Sequence, residues 1–255
     1  MSRKSSKNGE AVTPLATCFA SSASPRVIPR PLHQETNISS CIDHTFLKPA
    51  GEKDAVRKLC REAKKAKFAS VCVNPCEVAL AAKLLKGSSV KVCTVIGFPL
   101  GATAGKAKGM EAMVAVNDGA QELDFVVNQR LLKYDPPACL RELKELVSLC
   151  RRLPEIIAKP VPLTKLILEC CNLTKAEIVR GCKLAKKAGF DFVKTSTGFA
   201  AGGATVEDVK LMRKTVGSKM GVKAAGGIRD RETALKMIKA GATRIGASAG
   251  LKLLS

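Results

Sequence analysis

The sequence is poor in the residues on which nucleic-acid binders and metal sites depend. Trp is absent, Tyr134 is the only Tyr, and aromatic residues make up 4% of the 255 residues. Binders of single-stranded nucleic acid stack bases on aromatic side chains, so the composition argues against a nucleic-acid partner. The two histidines, His33 and His44, do not lie at zinc-ligand spacing from a Cys pair. No apolar run approaches the roughly 20 residues of a membrane span. We therefore expect no metal and no membrane anchor.

Basic residues and cysteines are abundant instead. Lys and Arg number 43 against 22 Asp and Glu, which gives a formal net charge of +21. A basic surface favours anionic ligands, although solvated helix faces explain much of the surplus and a scaffold for acidic partners is an alternative. Eleven Cys include several in apolar runs, where the thiol behaves as a small core hydrophobe. A disulfide framework is typical of short secreted chains, so we expect a reduced, cytoplasmic protein.

Residues 1–37 differ from the rest of the chain. They are rich in Ser, Pro and Ala, basic and poor in acid, and they show neither helical nor strand periodicity. This composition fits a transit peptide, which would place the protein in an organelle, and it fits a disordered extension equally well. We predict a separate N-terminal extension over 1–37 and one catalytic domain over 38–255.

After Ser40, short strand patterns alternate with helical patterns. Strands are predicted near residues 41–47, 69–74, 91–96, 122–128, 165–171, 191–197, 221–225 and 244–247. Helices are predicted near residues 53–66, 77–86, 105–118, 137–152, 175–187, 206–216, 231–240 and 249–253. Thr174, Thr205 and Asp230 precede helical runs as N-caps do, with Glu177 in the capping-box position. Eight strand–helix units in one domain indicate a (β/α)8 TIM barrel. A doubly wound sheet is the alternative, but no Gly-x-Gly-x-x-Gly turn follows the first strand.

A lysine interrupts the sixth predicted strand, in Asp-Phe-Val-Lys194-Thr-Ser-Thr-Gly. Strands of a parallel sheet are usually continuous apolar runs, and Lys is rarely buried without a partner. A neutral amine at a strand end is a nucleophile for carbonyl groups, as in Schiff-base enzymes. The alternative is that Lys194 extends to solvent at the strand end.

Two further charged residues lie in the same kind of position. Lys223 lies in the seventh predicted strand and Asp124 in the fourth. A second ammonium nearby favours the neutral form of the first, and a carboxylate can transfer protons. We predict Lys194 as nucleophile, with Lys223 and Asp124 assisting it. The alternative is a buried Lys–Asp ion pair that only holds the barrel together.

The predicted catalytic face also carries polar residues and glycines, because barrel chemistry lies at the carboxyl ends of the strands. The first two strands contribute candidate pocket residues. Glycines at the last three strand ends allow close backbone approach to a ligand, and these loops often bind phosphate in barrels. The pocket candidates are Asp43, Thr45, Cys72 and Asn74, and the phosphate candidates are Gly198, Gly226, Gly227, Arg229, Gly246 and Ser248.

These segments together resemble the deoxyribose-phosphate aldolases, a family of class I aldolases. The resemblance runs in family order from about residue 38 to the end. The matching segments are Ile-Asp43-His-Thr-Phe-Leu-Lys-Pro, Val-Cys72-Val-Asn-Pro, Val-Ile-Gly97-Phe-Pro-Leu-Gly, Glu-Leu-Asp124-Phe-Val-Val-Asn, Phe-Val-Lys194-Thr-Ser-Thr-Gly-Phe, Lys223-Ala-Ala-Gly-Gly-Ile-Arg and Arg-Ile-Gly246-Ala-Ser.

The resemblance implies a TIM barrel that cleaves 2-deoxy-D-ribose 5-phosphate reversibly to acetaldehyde and D-glyceraldehyde 3-phosphate without a cofactor. It assigns the Schiff base to Lys194, the perturbing amine to Lys223 and acid/base chemistry to Asp124. Cys72 and Thr195 match positions that line the pocket. It also implies a homodimer or homotetramer. Some family members bring a tail tyrosine to the site, and we expect no such assistance here because the only Tyr is Tyr134.

The lysine pattern alone leaves other lysine-dependent barrel enzymes open, such as a transaldolase or a different sugar-phosphate aldolase. The matched segments of the first and seventh strands argue against them.

Overall fold

The computed structural model of the protein describes residues 38–255. The predicted extension over 1–37 lies outside the described residues. Eight parallel strands pair with their sequence neighbours, and β8 pairs with β1 to close a barrel. The TIM barrel predicted from the alternating pattern is confirmed. The strands are β1 (Ile42–Phe46), β2 (Ser70–Val73), β3 (Lys91–Ile96), β4 (Glu122–Val126), β5 (Leu163–Ile167), β6 (Phe192–Lys194), β7 (Gly221–Ala225) and β8 (Arg244–Ala247).

Helices cover the outside of the barrel. They are α1 (Ala55–Ala66), α2 (Val78–Leu85), α3 (Gly105–Asn117), α4 (Gln129–Tyr134), α5 (Pro136–Ile157), α6 (Lys175–Ala188), α7 (Val206–Val216) and α8 (Arg231–Lys239). The predicted closing helix is a short 3-10 helix, Gly250–Leu253. α4 was not predicted from the sequence; it begins where the Asn128 side chain accepts a hydrogen bond from the Leu131 amide. Tyr134 ends α4 and is 78% exposed. Within residues 38–255, no helix combines the length and the apolar character needed to cross a bilayer.

The predicted helix starts are confirmed by their capping contacts. Thr174 and Glu177 form a complete capping box at the start of α6. Thr205 accepts a hydrogen bond from the Asp208 amide, and the side chain of Asp230 caps α8 in the same way. These caps satisfy amide groups that have no partner within the helix, so the helix boundaries were readable from local sequence.

The two faces of the strands differ in chemistry. Outward residues such as Leu166 and Val193 join one apolar cluster with inner helix residues such as Ile178 and Val209. Because side chains alternate along a strand, the neighbours Lys165 and Lys194 of those outward residues belong to the opposite, inward face. The larger apolar core therefore lies between barrel and helices, and the charged groups share the barrel interior with a small apolar cluster of Leu47, Cys72, Cys93 and Val95.

Two strands are shorter or displaced relative to the prediction. β5 covers Leu163–Ile167, whereas the apolar pattern indicated residues 165–171. Glu169 adopts a left-handed backbone conformation, with φ of 57°, which breaks the extended chain. β6 ends at Lys194, three residues before the predicted end. The lysine thus occupies the last strand position, at the carboxyl end of the barrel.

Candidate active site

The three residues proposed for the chemistry meet inside the barrel. Nζ of Lys194 and Nζ of Lys223 each lie 2.8 Å from Oδ2 of Asp124. Lys194 and Lys223 are register partners on β6 and β7, so their side chains leave the sheet on the same side. All three side chains are buried. One carboxylate oxygen therefore bridges two amines.

A third lysine contacts the same carboxylate. Lys165 lies 2.7 Å from Oδ1 of Asp124 and 2.7 Å from Oε2 of Glu122. Lys165 is the register partner of Asp124 on β5. The sequence reasoning missed it, although it has the signal that identified Lys194, a lysine within an apolar run, Leu-Thr-Lys165-Leu-Ile-Leu.

An arginine and two further acids complete the network toward the amino ends of the strands. Arg244 donates to Oδ1 of Asp43 at 2.5 Å and to Oε1 of Glu122 at 2.9 Å. Oδ2 of Asp43 lies 2.5 Å from Nζ of Lys223. We call the whole set the barrel charge network. Its members are Asp43, Glu122, Asp124, Lys165, Lys194, Lys223 and Arg244.

Mutual attraction sets the charge states of the network. Burial alone would raise the pKa of the Asp124 carboxyl, but the three lysines outweigh it and hold that pKa well below its usual range. Burial opposes the charge of Lys223, and the carboxylates of Asp124 and Asp43 outweigh burial, so the pKa of Lys223 is raised. The pKa of Lys165 is raised in the same way, because the neighbouring acids outweigh burial and Asp124 contributes most among them. The acid is therefore ionised and these two amines are protonated.

Lys194 is distinguished by having fewer acidic partners. Among the described residues it pairs with one carboxylate, that of Asp124, whereas Lys223 pairs with two and Lys165 with three. With every member ionised, the network holds four positive and three negative charges. A buried surplus charge is costly, and loss of one proton removes the surplus. Of the three lysines, Lys194 is the one whose charge the carboxylates compensate least.

Lys194 also borders a cleft at the carboxyl ends of the strands, with a volume of about 320 Å³. Gly198 and Gly226 have positive φ of 85° and 88°, which non-glycine residues rarely adopt. Several candidate residues from the sequence border the cleft together with Lys194, namely Thr45, Gly198, Gly226, Gly227, Arg229, Gly246 and Ser248.

Four candidate pocket residues lie elsewhere. Asp43 belongs to the barrel charge network. The Thr195 hydroxyl donates to the Ala225 carbonyl at 3.0 Å and accepts from the Ala225 amide at 3.1 Å, so it joins β6 to β7 and does not border the cleft. Asn74 is half-buried and directs its amide group toward the Lys48 carbonyl. Cys72 is fully buried. None of these four residues borders the cleft in this structure, because an inward or edge position on a strand does not by itself give access from the open end of the barrel, and their role in the pocket stays a prediction.

Two buried thiols lie beside the network. Cys72 and Cys93 are register partners on β2 and β3. Hydrogen bonding with Cys93 lowers the pKa of Cys72 against the effect of burial, while burial first, then that hydrogen bond, raises the pKa of Cys93. Cys72, Cys93 and Asp124 have donor atoms close enough to hold one metal ion. Lys165 already donates to Cys93 at 3.3 Å and to Asp124, so an ammonium ion occupies the position next to these donors.

Glu169 organises the loop after β6. Its buried carboxylate accepts hydrogen bonds from the Thr197 amide at 3.2 and 3.3 Å and from the Thr197 hydroxyl. The same hydroxyl accepts from the Phe199 amide at 3.0 Å. These contacts hold the backbone on both sides of Gly198, which borders the cleft. The sequence showed Glu169 as a polar residue near a strand end but not its role in this loop.

A larger cavity, of about 680 Å³, lies between α1 and the last 3-10 helix. It shares Thr45, Phe46, Lys48 and Ser248 with the cleft, but none of the residues that border it belongs to the barrel charge network. A choice of the active site by cavity volume alone would therefore miss the cleft that Lys194 borders. The cleft bordered by Lys194 is the candidate active site because it joins open space to the network.

Comparison with known proteins agrees with this geometry. Residues 38–255 match the model of the DeoC/LacD family of aldolases. The chain belongs to this aldolase family. A deoxyribose-phosphate aldolase from Thermoanaerobacter sp. (strain X514) is 54% identical over 219 residues, covering 86% of this chain and 96% of the relative. One from Clostridium perfringens (strain 13 / Type A) is 54% identical over 217 residues, covering 85% and 93%.

A solved structure of this family has the same fold. The deoxyribose phosphate aldolase from Aeropyrum pernix, described as tetrameric, superimposes with a TM-score of 0.78 at 34% identity, covering 85% of this chain and 89% of that one. The family resemblance, the lyase class and the barrel fold expected from the sequence are confirmed.

Proposed function

We propose that this aldolase cleaves 2-deoxy-D-ribose 5-phosphate reversibly to acetaldehyde and D-glyceraldehyde 3-phosphate, through a Schiff base on Lys194. One observation carries the proposal. Lys194 is the lysine of the barrel charge network that has a single carboxylate partner and that borders the cleft. It therefore combines the fewest ionic contacts of the three lysines with access to substrate.

The amine of Lys194 attacks the aldehyde carbon C1 of the open-chain sugar and forms a carbinolamine, which loses water to give an iminium ion. The iminium accepts the electron pair of the C2–C3 bond when the proton leaves the C3 hydroxyl. D-Glyceraldehyde 3-phosphate departs, and an enamine of acetaldehyde stays on the lysine. Protonation at C2 and hydrolysis release acetaldehyde and restore the amine.

Asp124 and Lys223 transfer the protons in these steps. Asp124 is ionised and accepts a proton, and Lys223 is protonated and donates one. Asp124 lies 2.8 Å from Nζ of Lys194 and 2.8 Å from Nζ of Lys223, so both groups lie close to the proposed nucleophile. A water molecule between Lys223 and C2 of the enamine would complete the transfer.

The phosphate group is proposed to bind at the opposite wall of the cleft. Backbone at Gly198, Gly226 and Gly227 can approach an anion closely because no Cβ intervenes. The side chains of Ser248 and Arg229 border the same space, and both are exposed, so a hydroxyl and a positive charge are available. This wall selects phosphorylated over free deoxyribose.

Reduction with borohydride in the presence of 2-deoxyribose 5-phosphate tests the proposal. We expect a stable secondary amine on Lys194, identified by peptide mapping. An adduct on another lysine, or none, would refute the Schiff-base assignment. Parallel reactions with free deoxyribose and with other sugar phosphates separate this activity from that of other lysine-dependent barrel enzymes.

Lys194→Leu supplies the matching variant. It should abolish turnover and trapping while the fold is retained, because three cations and three carboxylates then remain in the barrel. Lys236→Met is the control, since Lys236 pairs with Glu232 on the surface of α8 and should leave turnover unchanged. Circular dichroism verifies that both variants are folded.

We also infer that the protein assembles as a homo-oligomer, a dimer or a tetramer. The inference is supported by the tetrameric relative from Aeropyrum pernix. Light scattering coupled to size-exclusion chromatography measures the mass in solution. A monomer at micromolar concentration would overturn it.

We further infer that residues 1–37 form a separate extension and that the protein works in a reducing compartment such as the cytoplasm. The family match begins at residue 38, and the chain carries eleven cysteines. A variant that starts at residue 38 should retain the turnover of the full chain. A large loss of turnover would contradict the first inference, and a fluorescent fusion found in an oxidising compartment would contradict the second.

A further inference from the structure

Arg244 is a buried cation at the amino end of β8, on the far side of the network from the cleft. Its side chain is 8% exposed, and it does not border the cleft. It donates to Asp43 at 2.5 Å and to Glu122 at 2.9 Å. Any effect on the reaction must therefore pass through other residues.

A chain of alternating charges leads from Arg244 to Lys194. The second oxygen of Asp43 lies 2.5 Å from Nζ of Lys223. Lys223 lies 2.8 Å from Oδ2 of Asp124, and Lys194 lies 2.8 Å from the same oxygen. Each step is a direct contact between opposite charges, and the path stays within the barrel.

The charge of Arg244 decides whether the network is balanced. Without it, three lysines face three carboxylates, and a protonated Lys194 leaves no surplus. With Arg244 present and all three lysines protonated, the network carries one positive charge in excess. Arginine cannot give up its proton in proteins, whereas an amine can. Among the three lysines, Lys194 has the fewest carboxylate partners, so the excess charge is least compensated there.

We propose that Arg244 is a positioning residue for the aldol reaction, whose permanent charge keeps the amine of Lys194 neutral and holds Asp43 against Lys223. The proposal rests on the Schiff-base function of Lys194. Other titratable groups surround the network, and the thiols are counted as neutral. The groups that face Lys194 from the other strands and the loop after β5 are Asp43, Cys72, Cys93, Glu122, Asp124, Lys165, Glu169, Lys223 and Arg244.

Arg244→Gln tests the proposal through the pH profile of kcat/KM between about pH 5 and about pH 9. The acid limb of this profile, where kcat/KM falls as pH is lowered, reports protonation of the free amine. Removal of a nearby positive charge makes that protonation easier. The limb should therefore move to higher pH. For charges on the order of 10 Å apart at an effective dielectric constant of about 20, the shift is about one pH unit. Below the limb, borohydride trapping on Lys194 should slow about tenfold.

Glu122→Gln provides a test of opposite sign. It removes a negative charge that contacts Arg244 and Lys165 but not Lys194, so the acid limb should move to lower pH. This variant keeps the proposal testable if Arg244→Gln does not fold. Arg244→Lys retains the charge and should return the limb close to its wild-type position.

The outcomes separate a charge effect from a purely structural one. The proposal would be overturned if Arg244→Gln lowered the melting temperature but left the acid limb unchanged. It would also be overturned if the limb moved in the same direction in Arg244→Gln and in Glu122→Gln. If trapping at alkaline pH fails to label Lys194 even in the wild type, the proposed function has failed instead. If trapping labels Lys194 in every variant and the limb stays fixed, only the role of Arg244 is lost.

Discussion

Asp124 and Asp43 form a matched pair for separating chemistry from stability. Each is fully buried, and replacement of either by Asn removes one negative charge from the network. Only Asp124 contacts Lys194, at 2.8 Å, whereas Asp43 contacts Lys223 and Arg244. The two variants therefore have equal net charge but different contacts with the proposed nucleophile.

Both variants should lose similar stability. Breaking a buried ion pair costs about 3–5 kcal/mol, because the partner charges stay buried. We expect a loss of about 3 kcal/mol, the lower end of that range. A domain of this kind has about 5–15 kcal/mol in total, and both variants should therefore fold. Urea unfolding followed by circular dichroism measures the loss.

The catalytic effects should differ. Asp124→Asn removes the proton acceptor, and we expect kcat to fall by about 10²–10⁴-fold, the usual contribution of a positioned acid or base. Trapping on Lys194 should persist, since the neutral amine is still available. Asp43→Asn leaves Asp124 in place, and kcat should fall by less than about tenfold.

Acetaldehyde release, coupled to reduction by an alcohol dehydrogenase, gives kcat for the two variants. Two results would refute the reasoning. One is an Asp124→Asn enzyme that keeps kcat within tenfold of the wild type. The other is an Asp43→Asn enzyme that loses as much kcat as Asp124→Asn at similar stability, because the contact with the nucleophile would then not matter.

Three further predictions follow from local geometry and charge. Gly246→Ala should lower kcat in steady-state assays, because the added Cβ would lie 3.1 Å from Cε of Lys223; wild-type kcat in the folded variant would contradict it. Glu169→Gln should raise KM for the phosphorylated sugar several-fold while kcat is retained, because it weakens the contacts to Thr197; equal KM changes for free and phosphorylated deoxyribose would contradict it. The raised pKa values of Lys165 and Lys223 add stability that is fully present below about pH 10.4, their unfolded pKa, and is lost as pH rises through the folded values. Melting temperatures should therefore fall above that pH in the wild type and less in Lys223→Met, and equal slopes would contradict it.

Much of the fold was readable because local signals agreed with the tertiary structure. β3, β7 and β8 match their predicted bounds, because a charged residue or Gly begins each pattern and Gly97, Gly226 or Ser248 follows the strand. β5 was displaced because Leu168, after the strand end, continues the apolar pattern. Only the left-handed conformation of Glu169 marks the break, and no residue-type preference announces it.

The residues of the site were also only partly predicted from the sequence. Lys194, Lys223 and Asp124 were found because each is a charged residue inside an apolar strand. Arg244 and Glu122 were missed because each begins a strand, where a charged residue ordinarily indicates the solvent boundary. They turn inward only because β8 pairs with β1 and closes the barrel, and a single sequence does not display that closure.

The barrel charge network also explains why two interpretations of Lys194 that compete in the sequence are compatible in the structure. A buried Lys–Asp ion pair would by itself favour the protonated, unreactive amine. Here Asp124 is shared with Lys165 and Lys223, so its charge is already compensated, and Lys194 receives only part of its attraction. In the proposed mechanism, distribution of one carboxylate over three amines therefore lets the same contacts hold the barrel together while Asp124 holds Lys194 less strongly. An isolated pair, with one lysine for each acid, would hold that amine more strongly and work against the proposed nucleophile.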